Sequence, residues 1–246
     1  MVATPKSRSR KKAETPAAVI RPLGRRLRRW AWRGFLGIAG FFALLILLFR
    51  FVPPPINLYQ LSETWRLGSI DKDWVSWDEI APVMGRSVVA AEDANFCLHW
   101  GFDLAAIRAA VDAGGARGAS TLSQQVAKNV FLWQGRSYVR KAMEALLTPA
   151  IELVWPKRRI LEIYLNVAEF DEGVFGVQAA AQHYFGVDAA KLSALQAARL
   201  AAILPDPKDR SASKPSAFVR KRTGAIMAGA ETIQADGRAS CFDRGN

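Results

Sequence analysis

Between Gly34 and Phe49 sixteen residues pass without a charge, most of them large and apolar. A run so uniform predicts a helix with no polar side to present. Sixteen residues fall a little short of the roughly 20 that cross a bilayer. Arg33 and Arg50 flank the run, however, and can lay their aliphatic stems in lipid while their charged heads reach either surface. Trp30 and Trp32 stand where interfacial aromatics gather. We therefore expect a membrane helix over residues 34–52, stopped by Pro53-Pro54-Pro55. A cleaved signal peptide is the rival reading, but no small-x-small cleavage site precedes the prolines.

Residues 53–77 read as a juxtamembrane linker. Its three tryptophans, Trp65, Trp74 and Trp77, suit a lipid headgroup surface and suit equally the cover of a core. From residue 78 the pattern turns helical. Asp103 is placed to cap Leu104–Val111, and Gly114-Gly115 ends that helix. Gly114 to Gly118 reads as a mobile loop. Val139–Val154 is amphipathic and stopped by Pro156; helices follow over Ile160–Val167 and Val177–Tyr184. Leu192–Leu204 is apolar nearly throughout, as in a buried core helix, and Pro205 closes it. Strand signals are sparse, so the fold class is predominantly α. One helical domain over 78–210 is expected, followed by a loosely patterned polar extension over 211–246.

Charge changes the picture once it is divided. The chain carries a net +12, but residues 1–33 hold 11 Lys or Arg against one Glu, leaving the remainder at +2. The basic excess belongs to a tail, read as cytoplasmic and largely disordered. The folded part is nearly neutral, which argues against a nucleic-acid surface. Cys97 and Cys241 are the two cysteines. Their separation in sequence does not decide whether they pair, and Cys97 reads most simply as a half-buried residue with no chemical role.

Four polar clusters carry the candidate chemistry. The apolar run Val88-Val89-Ala90-Ala91 delivers Glu92 into a polar turn with Asp93 and His99. Burial there would raise a carboxyl group towards neutrality and suit it to general base work. Two solvated acids at a helix end is the plainer alternative. Next, Ser120, Gln124 and Lys128 fall at i, i+4 and i+8, behind Gly118-Ala119, and could offer a hydroxyl, an amide and an ammonium to a phosphate. The rival is a capping box from Thr121 to Gln124. Arg136, Arg140 and Lys141 then gather before Glu144, fitting either a pyrophosphate clamp or an i, i+4 ion pair. Last, Lys157–Asn166 carries an apolar stripe and reads as a brace. No ligand spacing joins the two histidines to the cysteines as a metal set. Ser211-Ala212-Ser213-Lys214 matches a transpeptidase signature, but too few residues follow it for that domain.

In this order the four clusters resemble the peptidoglycan glycosyltransferases, in their monofunctional biosynthetic form. The resemblance spans about residues 80–210. It implies a lysozyme-like helical domain behind one transmembrane helix. It implies an inverting hexosyltransferase that polymerises lipid II into glycan strands and releases undecaprenyl pyrophosphate. Glu92 resembles the base that deprotonates the acceptor hydroxyl, and Glu144 the second essential acid. Ser120, Gln124, Gln125, Lys128, Arg136, Arg140 and Lys141 resemble substrate-binding residues. No tightly bound cofactor is implied, though a divalent cation (magnesium or manganese) often assists, and Asp93 could help place it. The implied partners are lipid II, the growing strand, the membrane and other cell-wall synthesis or division proteins, with no nucleic acid. The implied location is the cytoplasmic (inner) membrane, single-pass, with the N-terminus cytoplasmic and the catalytic domain periplasmic. The departure lies at Gln196, where members often carry Glu, and at Arg199. Two other classes remain open: a lytic, lysozyme-like hydrolase of the same polymer, and a catalytically inactive membrane scaffold.

Overall fold

The computed structural model describes residues 16–112, 114, 120–135 and 137–243. Ten α-helices and three short strands lie among them, and contacts divide the chain into two units at Leu45/Ile46. The first unit is helix α1 (Pro16–Phe49), which runs into the second unit at its last turn. Its Arg25–Phe49 stretch is long and apolar enough to cross a membrane. The helix therefore starts well before the expected 34, within a tail we had expected to be largely disordered. Arginine, leucine and alanine are good helix formers, and charge alone does not interrupt a helix. Residues 1–15 of that tail lie outside the described residues.

In the second unit, the stretch expected as a linker is folded. α2 (Leu58–Leu67) opens on an Asn57–Gln60 capping box, and β1 (Asp71–Lys72) enters a sheet. A 3₁₀ turn over Trp77–Glu79 follows. The tryptophans separate here: Trp65 is 81% exposed, whereas Trp77 is buried in the core.

α3 (Pro82–Glu92) is the central helix. Proline at its first turn removes one of the amides that would lack a helical partner there, and Met84, Val88 and Val89 are fully buried. After it come α4 (Leu104–Asp112), α5 (Leu122–Phe131), α6 (Tyr138–Val154) and α7 (Lys157–Val167). Asp103 accepts from the Ala106 amide at 2.9 Å and so caps α4 as expected. β2 (Glu169–Asp171) and β3 (Val174–Phe175) complete a sheet of order β1-β3-β2, with β1 parallel and β2 antiparallel to β3. Asn166, fully buried at the end of α7, accepts from the Val75 amide at 2.9 Å and donates to the Val75 carbonyl at 2.9 Å. That one amide joins the end of the brace helix to the approach to α3.

α8 (Val177–Phe185) leads to α9 (Ala194–Ile203), the apolar core helix. Gln196 resolves the sequence departure noted above: it closes a capping box with Ser193, its Oε1 accepting from the Ser193 amide at 2.9 Å. Glutamine serves that position as well as glutamate does. The expected loose extension is instead α10 (Ala217–Ala235), a 19-residue helix packed on α3 and α9. Val219, Thr223, Ile226, Ala230 and Ile233 form its buried stripe. Gly229 makes the close approach to α3 work, since a Cβ there would lie 3.2 Å from that of Ala90.

Candidate functional site

Asp93 ends α3, and both of its oxygens are already engaged. Oδ2 accepts from the Leu122 amide at 2.9 Å and Oδ1 meets His99 Nε2 at 2.8 Å. A carboxylate on the first amide of α5 complements that helix dipole. Asp93 is thus the joint between two elements of the site, and His99 is the buried polar neighbour the sequence suggested. The joint continues at Thr121, whose hydroxyl donates to the Gly101 carbonyl at 2.6 Å. Gly101 has φ +83°, and a Cβ on it would sit 2.6 Å from the Thr148 methyl, so no side chain fits.

Glu92, one residue before this joint, is 14% exposed. Gln125 Nε2 donates to its Oε2 at 3.2 Å, and the Tyr164 hydroxyl donates to the Gln125 side-chain Oε1 at 3.4 Å. Arg222 of α10 donates to Glu92 Oε1 at 3.3 Å and to the Ala91 carbonyl at 3.2 Å. Burial pushes the Glu92 carboxyl above the usual carboxylate range and the Asp93 charge adds to it, while Gln125, Arg222 and Arg210 oppose. The Tyr164 hydroxyl is raised well above the usual tyrosine value by burial and by the Glu92 charge. Glu92 is therefore the desolvated carboxyl that its apolar approach implied.

A hollow of about 300 Å³ opens beside it, lined by Glu92, Asp93, Asp103, Ser120 and Thr121 among others. Ser120 connects this hollow to the second cluster, because Lys141 Nζ donates to its hydroxyl at 3.3 Å. Lys141 also pairs with Glu144, and Arg140 Nη1 lies 2.9 Å from the other Glu144 oxygen. Glu144 is 4% exposed, a carboxylate enclosed between two cations. Burial lowers the Lys128 pKa first; the nearby Arg140 and Lys141 charges add to that and Glu144 offsets it. Three cations and one acid thus form a compact, net positive group from two adjacent helices.

The expected phosphate face of α5 is narrower than the sequence suggested. Thr121 and Gln124 form the capping box that was the alternative reading: Gln124 Oε1 accepts from the Thr121 amide at 3.1 Å and the residue is buried. Gln124 therefore finishes a helix end, and its neighbour Gln125 faces Glu92. Ser120 precedes the helix and is exposed. Arg136 and Gly118-Ala119 lie outside the described residues, as does most of the loop read over Gly114–Gly118.

Behind the site, Glu152, Lys157 and Ser123 form a buried group in which Lys157 meets Glu152 at 2.8 Å and the His99 carbonyl at 2.8 Å. This is the bracing role expected of α7. Cys97 does have a structural role: it is joined to Cys241. Phe242 packs on Phe96 at 6.3 Å, Arg238 donates to the Ala94 carbonyl at 3.3 Å, and Arg86 pairs with Asp243 at 2.7 Å. The residues after α10 thereby strap the loop that follows Glu92. Among the described residues no group of three His, Cys, Asp or Glu side chains could hold a metal ion. Both Asp93 oxygens already accept hydrogen bonds within the protein.

Residues 60–231 match the family described as Transglycosylase. The chain belongs to that family. It is similar to a protein of Jannaschia sp. (strain CCS1) named Biosynthetic peptidoglycan transglycosylase, 56% identical over 232 residues, covering 94% of this chain and 97% of that one. Proteins of the same name from Pseudomonas fluorescens (strain SBW25) and Cronobacter sakazakii (strain ATCC BAA-894) are 49% and 52% identical, covering 85% and 82% of this chain and 93% and 88% of theirs. The transglycosylase match begins inside α2 and ends inside α10, so it reaches into part of the stretch read as a linker and part of the C-terminal extension. As a transglycosylase the chain is a glycosyltransferase of the helical, lysozyme-like class. Sequence reasoning had missed Arg222 and Arg210 at its site and had given Tyr164 only a packing role. Arg222 is the last of three consecutive cations, Arg220-Lys221-Arg222, and nothing in that run singles it out.

Proposed function

We propose that this glycosyltransferase works in peptidoglycan synthesis, joining lipid II units into glycan strands at the outer face of the cytoplasmic membrane and releasing undecaprenyl pyrophosphate. The observation that carries this reading is the link through Ser120. It lines the hollow beside the desolvated Glu92 and accepts a hydrogen bond from Lys141, a member of the cation group. A sugar hydroxyl at Glu92 and a pyrophosphate at Lys128, Arg140 and Lys141 would then be neighbours in one substrate complex.

In this mechanism Glu92 takes the proton of the acceptor 4-hydroxyl as that oxygen attacks the anomeric carbon of the growing chain. The bond to the pyrophosphate oxygen breaks on the opposite face, so the configuration inverts. The departing negative charge is met by Lys128, Arg140 and Lys141, as preorganised cations stabilise charge that develops in a transition state. Glu144 holds Arg140 and Lys141 in register and limits their mutual repulsion. Ser120 and Gln125 orient the substrate and the base, and Gln124 keeps the end of α5 in place. Magnesium or manganese, if used, would arrive with the substrate phosphates, and no step above depends on it.

The basic residues before α1 favour a cytoplasmic N-terminus. The Cys97–Cys241 disulfide favours an oxidising, periplasmic setting for the second unit. A lytic hydrolase acting on finished, uncharged glycan would have no use for three cations around one buried acid. The test is incubation of the purified, membrane-anchored protein with labelled lipid-linked disaccharide and, separately, with finished polymer. Strand formation from the first is expected. Cleavage of the second with no polymer from the first would overturn the reading.

A further inference from the structure

Arg222 lies on α10, 130 residues from the carboxylate it meets, and its surroundings are unusual for a surface arginine. Its Nη2 is shared between Glu92 Oε1 at 3.3 Å and the Ala91 carbonyl at 3.2 Å. The second acceptor is one of the last carbonyls of α3, which have no amide partner within that helix. Its Nε is buried and without a partner. An arginine present only for packing would turn its head to water and avoid stranding that donor. Here the guanidinium stays at the end of α3.

We propose that Arg222 is a positioning residue whose guanidinium, set against Oε1, keeps the Glu92 carboxylate in the base form. This rests on the reading of Glu92 as the base. Each Glu92 oxygen has one donor from a different helix: Arg222 of α10 at Oε1 and Gln125 of α5 at Oε2. Tyr164 of α7 fixes the Gln125 amide from behind, so the carboxylate is held at both corners. The charged groups around it are Asp93 on its own element, Arg222 from α10 and Arg210 from the segment before α10, with the Tyr164 hydroxyl from α7. Asp93 works against ionisation and the two arginines favour it. Arg222 is the arginine in direct contact.

α10 is held firmly enough to make that contact repeatable. It packs on α3 through Gly229 and on α9, and the segment after it is tied to the loop beyond Glu92 by the disulfide and by the Arg86–Asp243 pair. A helix outside the four sequence clusters therefore governs the conditions under which the base can act.

The experiment measures polymer formation by the full chain from labelled lipid-linked disaccharide across pH, alongside thermal melting. Arg222→Met keeps length and removes charge, while Arg222→Lys keeps charge. In the methionine variant the acid limb of the rate is expected to move to higher pH. Turnover at the acid end should fall on the order of tenfold while the alkaline plateau changes by less than about twofold. Lysine should return the limb towards its original place. Arg222→Gln, neutral but still a donor to the Ala91 carbonyl, carries the same comparison if the methionine variant does not fold. An acid limb that stays put in the folded neutral variant, or a uniform fall at every pH, overturns the proposal. Glu92→Gln tests the underlying reading separately: a persisting wild-type acid limb there would remove Glu92 as the base, whatever Arg222 does.

Discussion

Glu144 and Glu92 are both buried acids, but their partners come from opposite ends of the scale of sequence distance. Glu144 is held by Arg140 and Lys141, four and three residues earlier on the same helix. Glu92 is held by Gln125 and Arg222, 33 and 130 residues away, on two other helices. The first arrangement forms as soon as α6 does. The second exists only when α3, α5, α7 and α10 have all packed. The local pair suits a fixed electrostatic surface, whereas the assembled one allows a single carboxyl to be desolvated and yet aimed.

The contrast can be broken most severely at Glu92. Glu92→Gln should lower polymer formation by about a hundredfold to ten-thousandfold, the usual worth of a general base. The same change should raise stability at neutral pH. The folded-state pKa of Glu92 lies above its unfolded value, so its contribution favours folding most at low pH and is lost as pH rises through the raised value. A neutral amide escapes that loss. Melting temperatures of both proteins at acid and neutral pH check the sign; a variant less stable than wild type only at neutral pH would contradict it.

The cation side should show a smaller loss and no movement of the acid limb. Lys128→Ala and Arg140→Ala each remove a charge-assisted contact worth about 1.5–3 kcal/mol, or roughly tenfold to hundredfold in use of the pyrophosphate substrate. Lys128→Arg should recover little, because a planar fork does not replace a compact ammonium. Steady-state rates against lipid-linked substrate decide this, and wild-type turnover in both alanine variants would make the cluster a solvated face.

The finest division falls between two adjacent glutamines. Gln124→Ala should cost about 1 kcal/mol of stability through the lost cap, with turnover largely kept. Gln125→Ala should leave melting nearly unchanged and reduce turnover, since Gln125 rather than Gln124 touches Glu92. An activity loss confined to Gln124→Ala would reverse the assignment of the two side chains.

Legibility in the sequence follows the same contrast. The capping box of α5, the i, i+4 pair of α6 and the apolar approach to Glu92 are local patterns, and each could be read from neighbouring residues. Gln124 still carried two readings, because a capping glutamine and a ligand-binding glutamine occupy the same position after Thr121. α10 does carry a helical period, at Val219, Thr223, Ile226, Ala230 and Ile233. Its small residues, Gly224 and Gly229 among them, dilute that stripe until it resembles a loose tail. α2 was hidden by the three prolines ahead of it, although Asn57 and Gln60 mark its start. The two-residue strand β1 has no pattern of its own and exists through its pairing with β3. Arg222 could not be placed from its neighbours, because what it answers lies on another helix.

The bond between Cys97 and Cys241 also sets an order of assembly. A chain emerging from its N-terminus presents Glu92, the cation helix and the brace long before residue 241 appears. Until that residue arrives, the loop after the base lacks its strap. Completion of the site thus follows synthesis of nearly the whole chain, and a product cut short after α9 would carry both acids and all of the described cation cluster yet lack the helix and the cysteine that hold Glu92 in place.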